Sequence, residues 1–167
     1  MIKKMKERLK NQKGMTLIEL LAVIVILGII AAIAIPSIGG LIDNSRKDAH
    51  VANAQQMISA AKMAVSSDNG VFPKVNTKVY LSLDYLEKKG YMETLKDPDG
   101  GLTATDGYAR GTAVAADGTY TGAKEESYVE VANTAGKLSY SVALVGSEKS
   151  IALTAEHALV RDSVKQN

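Results

Sequence analysis

The strongest constraint on this chain is the run from Lys13 to Pro36, KGMTLIELLAVIVILGIIAAIAIP. Between Met15 and Ile35 its only polar side chains are Thr16 and Glu19. At a rise of about 1.5 Å per residue the apolar stretch makes a helix about 31 Å long, close to the thickness of a bilayer core. A carboxylate in hydrocarbon is costly. Any account of function has to explain why Glu19 stands near the start of this run.

The charge distribution points the same way. The chain has 167 residues and a formal net charge of +2. Met1 to Gly14 carries Lys3, Lys4, Lys6, Arg8, Lys10 and Lys13 against Glu7 alone, so the remainder of the chain is net acidic. The basic character belongs to the leader, and composition supports no nucleic-acid surface and no DNA binding. Positive charges ahead of an apolar run keep the N-terminus cytoplasmic and send the C-terminal body outside. There is no cysteine, which excludes disulfides, thiol catalysis and cysteine metal sites.

Three fates of the run compete. A secretory signal would be cut near Ala32 or Ala34, but the run is long for that and Glu19 is unexplained. A permanent membrane anchor leaves Glu19 as a cost without a purpose. Cleavage after Gly14 makes Met15 the new amino terminus, with Glu19 four residues along on the same helix face. Amine and carboxylate then lie close together. If the amine comes from a neighbouring copy, the pair sets the register between subunits.

The segment from Lys13 to Ile38 resembles the class III leader and N-terminal helix of type IV pilins and type II secretion pseudopilins. The resemblance implies cleavage between Gly14 and Met15 by a prepilin peptidase and N-methylation of Met15. It implies that Glu19 pairs with the amino terminus of an adjacent subunit, and that Gly28 and Pro36 are where the helix bends or loses helicity in filaments. Other implied partners are an assembly ATPase, a platform protein, membrane lipid before assembly, and further copies of the chain in a helical homopolymer. The cysteine-free composition and the lysine-rich leader look like a Gram-positive-type major pilin.

Beyond Pro36 the spacing of Ile38, Leu41, Ile42, Ser45, Ala49, Ala52, Gln56, Met57, Ala60, Ala61, Ala64 and Val65 predicts a helix with one packed face, ended by the run Ser66 to Gly70. From Thr16 to Ser66 this would be one rod of about 75 Å. Gly39 and Gly40 weaken the helix after Pro36, so a flexible joint is expected over Ile35 to Leu41. Ser82 is a plausible cap for a short helix from Leu83 to Lys89, stopped by Gly90. Gly90, Tyr91, Asp97 and Pro98 also match the connecting region of the same family. Strands are expected at Tyr128–Val131, Leu138–Val145 and Ile151–Leu153, with Ala155 to Asn167 a short helix or frayed end. Gly101 to Lys124 reads as turn-rich loops or a loose hairpin.

The expected organisation is a cleaved leader over 1–14, a transmembrane or filament-core helix half over 15–36 and an amphipathic half over 37–66. A connecting region with a short helix follows over 67–100, then a sheet region and tail over 101–167. The class is α+β: a long N-terminal helix packed on an antiparallel meander of three or four strands.

No catalytic constellation appears. His50 and His157 are the only histidines, and a surface or capping role is expected for His50. No phosphate loop, dinucleotide fingerprint, nucleophile elbow or metalloprotease helix is present. In secretion-type relatives of this resemblance, calcium is held in a loop near the sheet. The oxygens available for it here are Asp97, Asp99, Asp106 and Asp117, whose spacing is not that of an EF-hand. No other cofactor is implied. The expected function is that of a structural pilin polymerising through its N-terminal helix into an extracellular filament. The alternatives are a secretion or competence pseudopilin, or a minor pilin that binds or adheres at the tip.

Overall fold

The computed structural model describes residues 16–102, 107–111, 114–115 and 125–167. The leader with Gly14 and Met15, the candidate ligands Asp106 and Asp117, and most of the loop region before Lys124 lie outside the described residues. Two compact units divide at Asp43 and Asn44. A single helix, α1, runs Leu17–Ser67 and belongs to both. It continues through Pro36 and through Gly39 and Gly40, where the expected joint shows no interruption in the helix.

In the unit up to Asp43, aliphatic side chains from Leu17 to Ile42 point outward on every side, Leu17 with 88% of its surface exposed. An all-round apolar helix is suited to lipid or to other copies of itself. By length and composition α1 can cross a membrane.

The second unit builds a core on the later part of α1. Its packed face consists of His50, Ala54, Met57, Ile58, Ala60, Ala61, Ala64 and Val65. This corrects the expected face in two ways. Ile38, Leu41 and Ile42 are exposed, so packing begins only at His50. Ala52 and Gln56 also point outward, while Ala54 and Ile58 are buried. The alanines let the sheet approach the helix closely.

Among the described residues the sheet has six antiparallel strands in the order β2-β1-β3-β4-β5-β6, more than the three or four expected. The strands are β1 (Thr77–Ser82), β2 (Val114–Ala115), β3 (Tyr128–Thr134), β4 (Lys137–Val145), β5 (Lys149–Ala155) and β6 (Val164–Gln166). Val79 and Leu81 of β1, Val129 and Val131 of β3, Val142 and Leu144 of β4, and Ile151 of β5 join the α1 face in one cluster. The region between α1 and α2 (Leu83–Lys88) therefore holds a sheet strand in addition to loop. The tail is not helical in the α sense. Two short 3-10 turns, Glu156–Ala158 and Arg161–Ser163, lead into β6 at the sheet edge.

Local chemistry explains the smaller elements. The Ser82 hydroxyl accepts a hydrogen bond from the Tyr85 amide and caps α2. Gly90 follows with φ +75°, the left-handed conformation that ends helices. β3 and β4 meet in a two-residue turn, Ala135 and Gly136, with Thr134 paired to Lys137. Both turn residues have positive φ (52° and 87°), as a hairpin matched to strand twist requires.

Candidate functional site

The N-terminal end of α1 places its one carboxylate over its own first turn. Glu19 Oε2 accepts hydrogen bonds from the Thr16 amide at 2.7 Å and the Thr16 hydroxyl at 2.8 Å. In return the Glu19 amide donates to Thr16 Oγ1 at 3.3 Å. This is a capping box, two otherwise unpaired groups at a helix start satisfied by each other. Its signature, a threonine followed three residues later by glutamate, is present in the sequence at Thr16 and Glu19. Met15, the expected partner, lies outside the described residues. Gly28 has no atom within 4 Å of where a Cβ would stand, and Pro36 sits inside α1.

A second polar constellation is buried in the other unit. His50 is fully buried. This corrects the surface or capping role expected of it. Its Nε2 lies 2.9 Å from Asp99 Oδ2 and its Nδ1 2.7 Å from the Tyr108 hydroxyl. A carboxylate only accepts, so Nε2 carries a proton, and in the neutral imidazole Nδ1 then accepts from the Tyr108 hydroxyl. Asn53 Nδ2 donates to the same hydroxyl at 3.0 Å. Lys149 Nζ lies 3.0 Å from both Asp99 oxygens. Arg46 adds a contact to Asp99 Oδ1 at 2.9 Å. Burial alone would raise the Asp99 carboxyl, but the hydrogen bonds from His50, Lys149 and Arg46 outweigh it and hold the group below the ordinary carboxylate range. Burial pushes the Tyr108 hydroxyl up, so it stays protonated.

Asp97 completes the cluster. Its Oδ2 accepts from the Ser147 amide at 2.7 Å and the Ser147 hydroxyl at 3.0 Å, and thereby holds the turn between β4 and β5. A Cβ at Gly146 in that turn would meet the Lys149 carbonyl at 2.5 Å, so only glycine fits. His50, Asp97 and Asp99 bring their ligand atoms within 4.8 Å of one another, a spacing that could hold a metal. The donor set does not favour one. The Lys149 ammonium, with its side chain 4% exposed, lies 3.0 Å from both Asp99 oxygens and already supplies positive charge to that carboxylate. Of the four candidate calcium oxygens the structure brings Asp97 and Asp99 together, with a protein cation between the strands.

Comparison with known proteins bears on the first of these sites. Residues 9–35 match the family described as the prokaryotic N-terminal methylation motif. The chain is 36% identical over 97 residues to the type IV major pilin protein PilE of Neisseria gonorrhoeae, covering 56% of each chain. It is 34% identical over 97 residues to a fimbrial protein of Neisseria meningitidis, covering 56% of this chain and 55% of the relative. It is 44% identical over 68 residues to the fimbrial protein EcpC of Eikenella corrodens, covering 39% and 42%. The chain thus spans about half the length of the curated relatives it matches. No solved structure matches. Over the matched part, the chain is similar to type IV pilins and fimbrial proteins and carries the N-terminal methylation motif. These likenesses draw no distinction between Gram-positive-type and other sources.

Proposed function

We propose that this chain is a prepilin whose mature form is a structural subunit of a type IV pilus. The observation that carries this reading is the N-terminal part of α1, apolar on all sides, with a single carboxylate held at its first turn. In the membrane the Thr16–Glu19 capping box satisfies Glu19 within its own chain. On assembly the apolar helix moves from lipid into a filament core made of its copies. Burial of apolar surface is similar in both places, so packing and polar pairing decide the register. Cleavage between Gly14 and Met15 frees an amine that Glu19 of a neighbouring copy can pair with, and N-methylation of Met15 accompanies it. Gly28 and Pro36 are the positions where the helix would yield in the filament.

On this reading the peptidase and methyltransferase, an assembly ATPase and a platform protein act on the chain from the membrane. The leader stays cytoplasmic and the domain becomes extracellular. The lysine-rich leader and absence of cysteine remain the grounds for a Gram-positive-type source. Mass spectrometry on sheared surface filaments tests the whole reading. The expected first residue is N-methylated Met15, with the chain as the main component. Recovery at a few copies per filament would favour a minor subunit acting as a tip binding module. An intact leader on filamentous material would overturn the processing step. Absence of the chain from surface filaments, with secretion or DNA uptake dependent on it, would favour the pseudopilin role.

A further inference from the structure

Just beyond α1 stands the chain's one Asn-Gly pair, Asn69 and Gly70, in the run SSDNGVFP. An asparagine amide before glycine is open to attack by the next backbone nitrogen, because glycine has no side chain to shield it. Both residues are exposed. They open the 3-10 turn Asn69–Val71, which Asp68 caps. The Gly70 amide donates to Asp68 Oδ1 at 2.8 Å. The Tyr85 hydroxyl stands 3.4 Å from the other oxygen, Oδ2, and steadies the carboxylate. The nitrogen that would attack Asn69 is therefore already hydrogen-bonded to a group able to take its proton. We propose that Asn69 is a site of spontaneous deamidation, with Asp68 as the base that draws the proton from the Gly70 nitrogen. In the first step the Gly70 nitrogen attacks Asn69 Cγ. As the N–Cγ bond forms, the nitrogen gains positive character and its proton becomes acidic, so a carboxylate at hydrogen-bond distance can accept it. The Asn69 Cγ–Nδ2 bond then breaks and the amide leaves as ammonia, taking up that proton. A five-membered imide remains. Water opens it at either carbonyl, giving aspartate or isoaspartate. Ring closure requires Asn69 to leave its helical backbone angle. Only one 3-10 turn opposes this, closed by bonds of 3.2 Å from the Val71 amide to the Asp68 carbonyl and 3.4 Å from the Phe72 amide to the Asn69 carbonyl. Bonds in so short a turn are weak, and exposed single turns open locally. The product adds a carboxylate two residues beyond Ser67, the last residue of α1, where the helix dipole disfavours negative charge. The isoaspartate form also lengthens the backbone between α1 and β1.

The test stores the full chain in detergent micelles at physiological temperature and neutral pH in H2 18O, then maps it by mass spectrometry. Cleavage after Lys62 and Lys74 releases Met63 to Lys74, in which Asn69 is the only asparagine. The expected result is steady 18O uptake at Asn69 with isoaspartate among the products, ahead of the exposed Asn76 and of Asn44. Asp68→Ser keeps an oxygen for the Gly70 amide but no base, and should slow the conversion about tenfold. Gly70→Ala puts a Cβ 3.0 Å from Asp68 Oδ1 and should slow it at least as much. Conversion at Asn69 no faster than at Asn44 or Asn76 overturns the site. An unchanged or faster rate in Asp68→Ser overturns the role of Asp68, and a product free of isoaspartate overturns the imide route.

Discussion

Leu17–Ile35 and His50–Val65 belong to one helix, and both are rich in aliphatic and small side chains. Their situations differ. In the first stretch the aliphatic side chains are exposed, and one carboxylate is satisfied locally by Thr16. In the second, Met57, Ile58 and four alanines are closed against a six-stranded sheet, and His50 is tied to Asp99, Tyr108 and, through Asp99, to Lys149. Apolar content alone does not decide which part of a helix makes a core. Contact with the sheet does: in the second stretch Ala54, Met57, Ala61 and Ala64, at three- and four-residue steps, lie in the core cluster with the strands, and in the first no described side chain is buried. The second unit is stabilised by its own contacts, whereas the first depends on its surroundings.

The sharpest way to break this contrast is Glu19→Ala. Surface filaments should fall about tenfold or more while leader removal continues, since a lost pair worth about 1.4 kcal/mol is a tenfold change in association. Urea unfolding of the second unit should not move. Filaments at normal yield would show that the carboxylate is incidental.

Asp99→Asn addresses the other unit. It removes the Asp99 charge 3.0 Å from the buried Lys149 ammonium, and urea unfolding should show a loss of about 3–5 kcal/mol. The same cluster sets an acid limit. Asp99 titrates below its unfolded value, so its contribution to stability is complete above about pH 4 and is lost as pH falls through the lowered folded value. Thermal unfolding followed from pH 6 to pH 2 should show this loss in the parent and much less of it in Asp99→Asn.

Met57→Ala against Ile24→Ala compares the two stretches directly. The buried methionine should cost about 2–4 kcal/mol of second-unit stability, and the exposed isoleucine close to nothing. The smallest expected effect is a gain. Ala135 sits at φ 52°, where a Cβ is unfavourable, so Ala135→Gly should stabilise the unit by about 1 kcal/mol. A loss there would mean that the turn geometry does not strain alanine.

How much could be read from the sequence follows the same division. The long helix, the Ser82 cap, the Gly90 stop and the three strands β3, β4 and β5 each announce themselves through local spacing or a local turn. β1 is harder. Its alternation of Val79 and Leu81 with Lys78 and Tyr80 is short and runs straight into the cap of α2. β6 has three residues and exists only by pairing with β5. The burial of His50 is the feature least legible in the sequence, because its partners Asp99 and Tyr108 lie 49 and 58 residues away and no spacing rule connects them. The exposure of Ile38, Leu41 and Ile42 was equally hidden, since their spacing is that of a packed face and only the tertiary contacts show that the packing starts later.

The lysine between Asp99 and the sheet has a consequence for where this domain can work. Many exported folds borrow a divalent ion from their surroundings to gather loop carboxylates, and their shape then follows the supply. Here the counter-ion is covalently part of β5 and cannot be stripped by a chelator or diluted away. The loop at Asp97 and Asp99 should hold its form equally in ion-poor and ion-rich media.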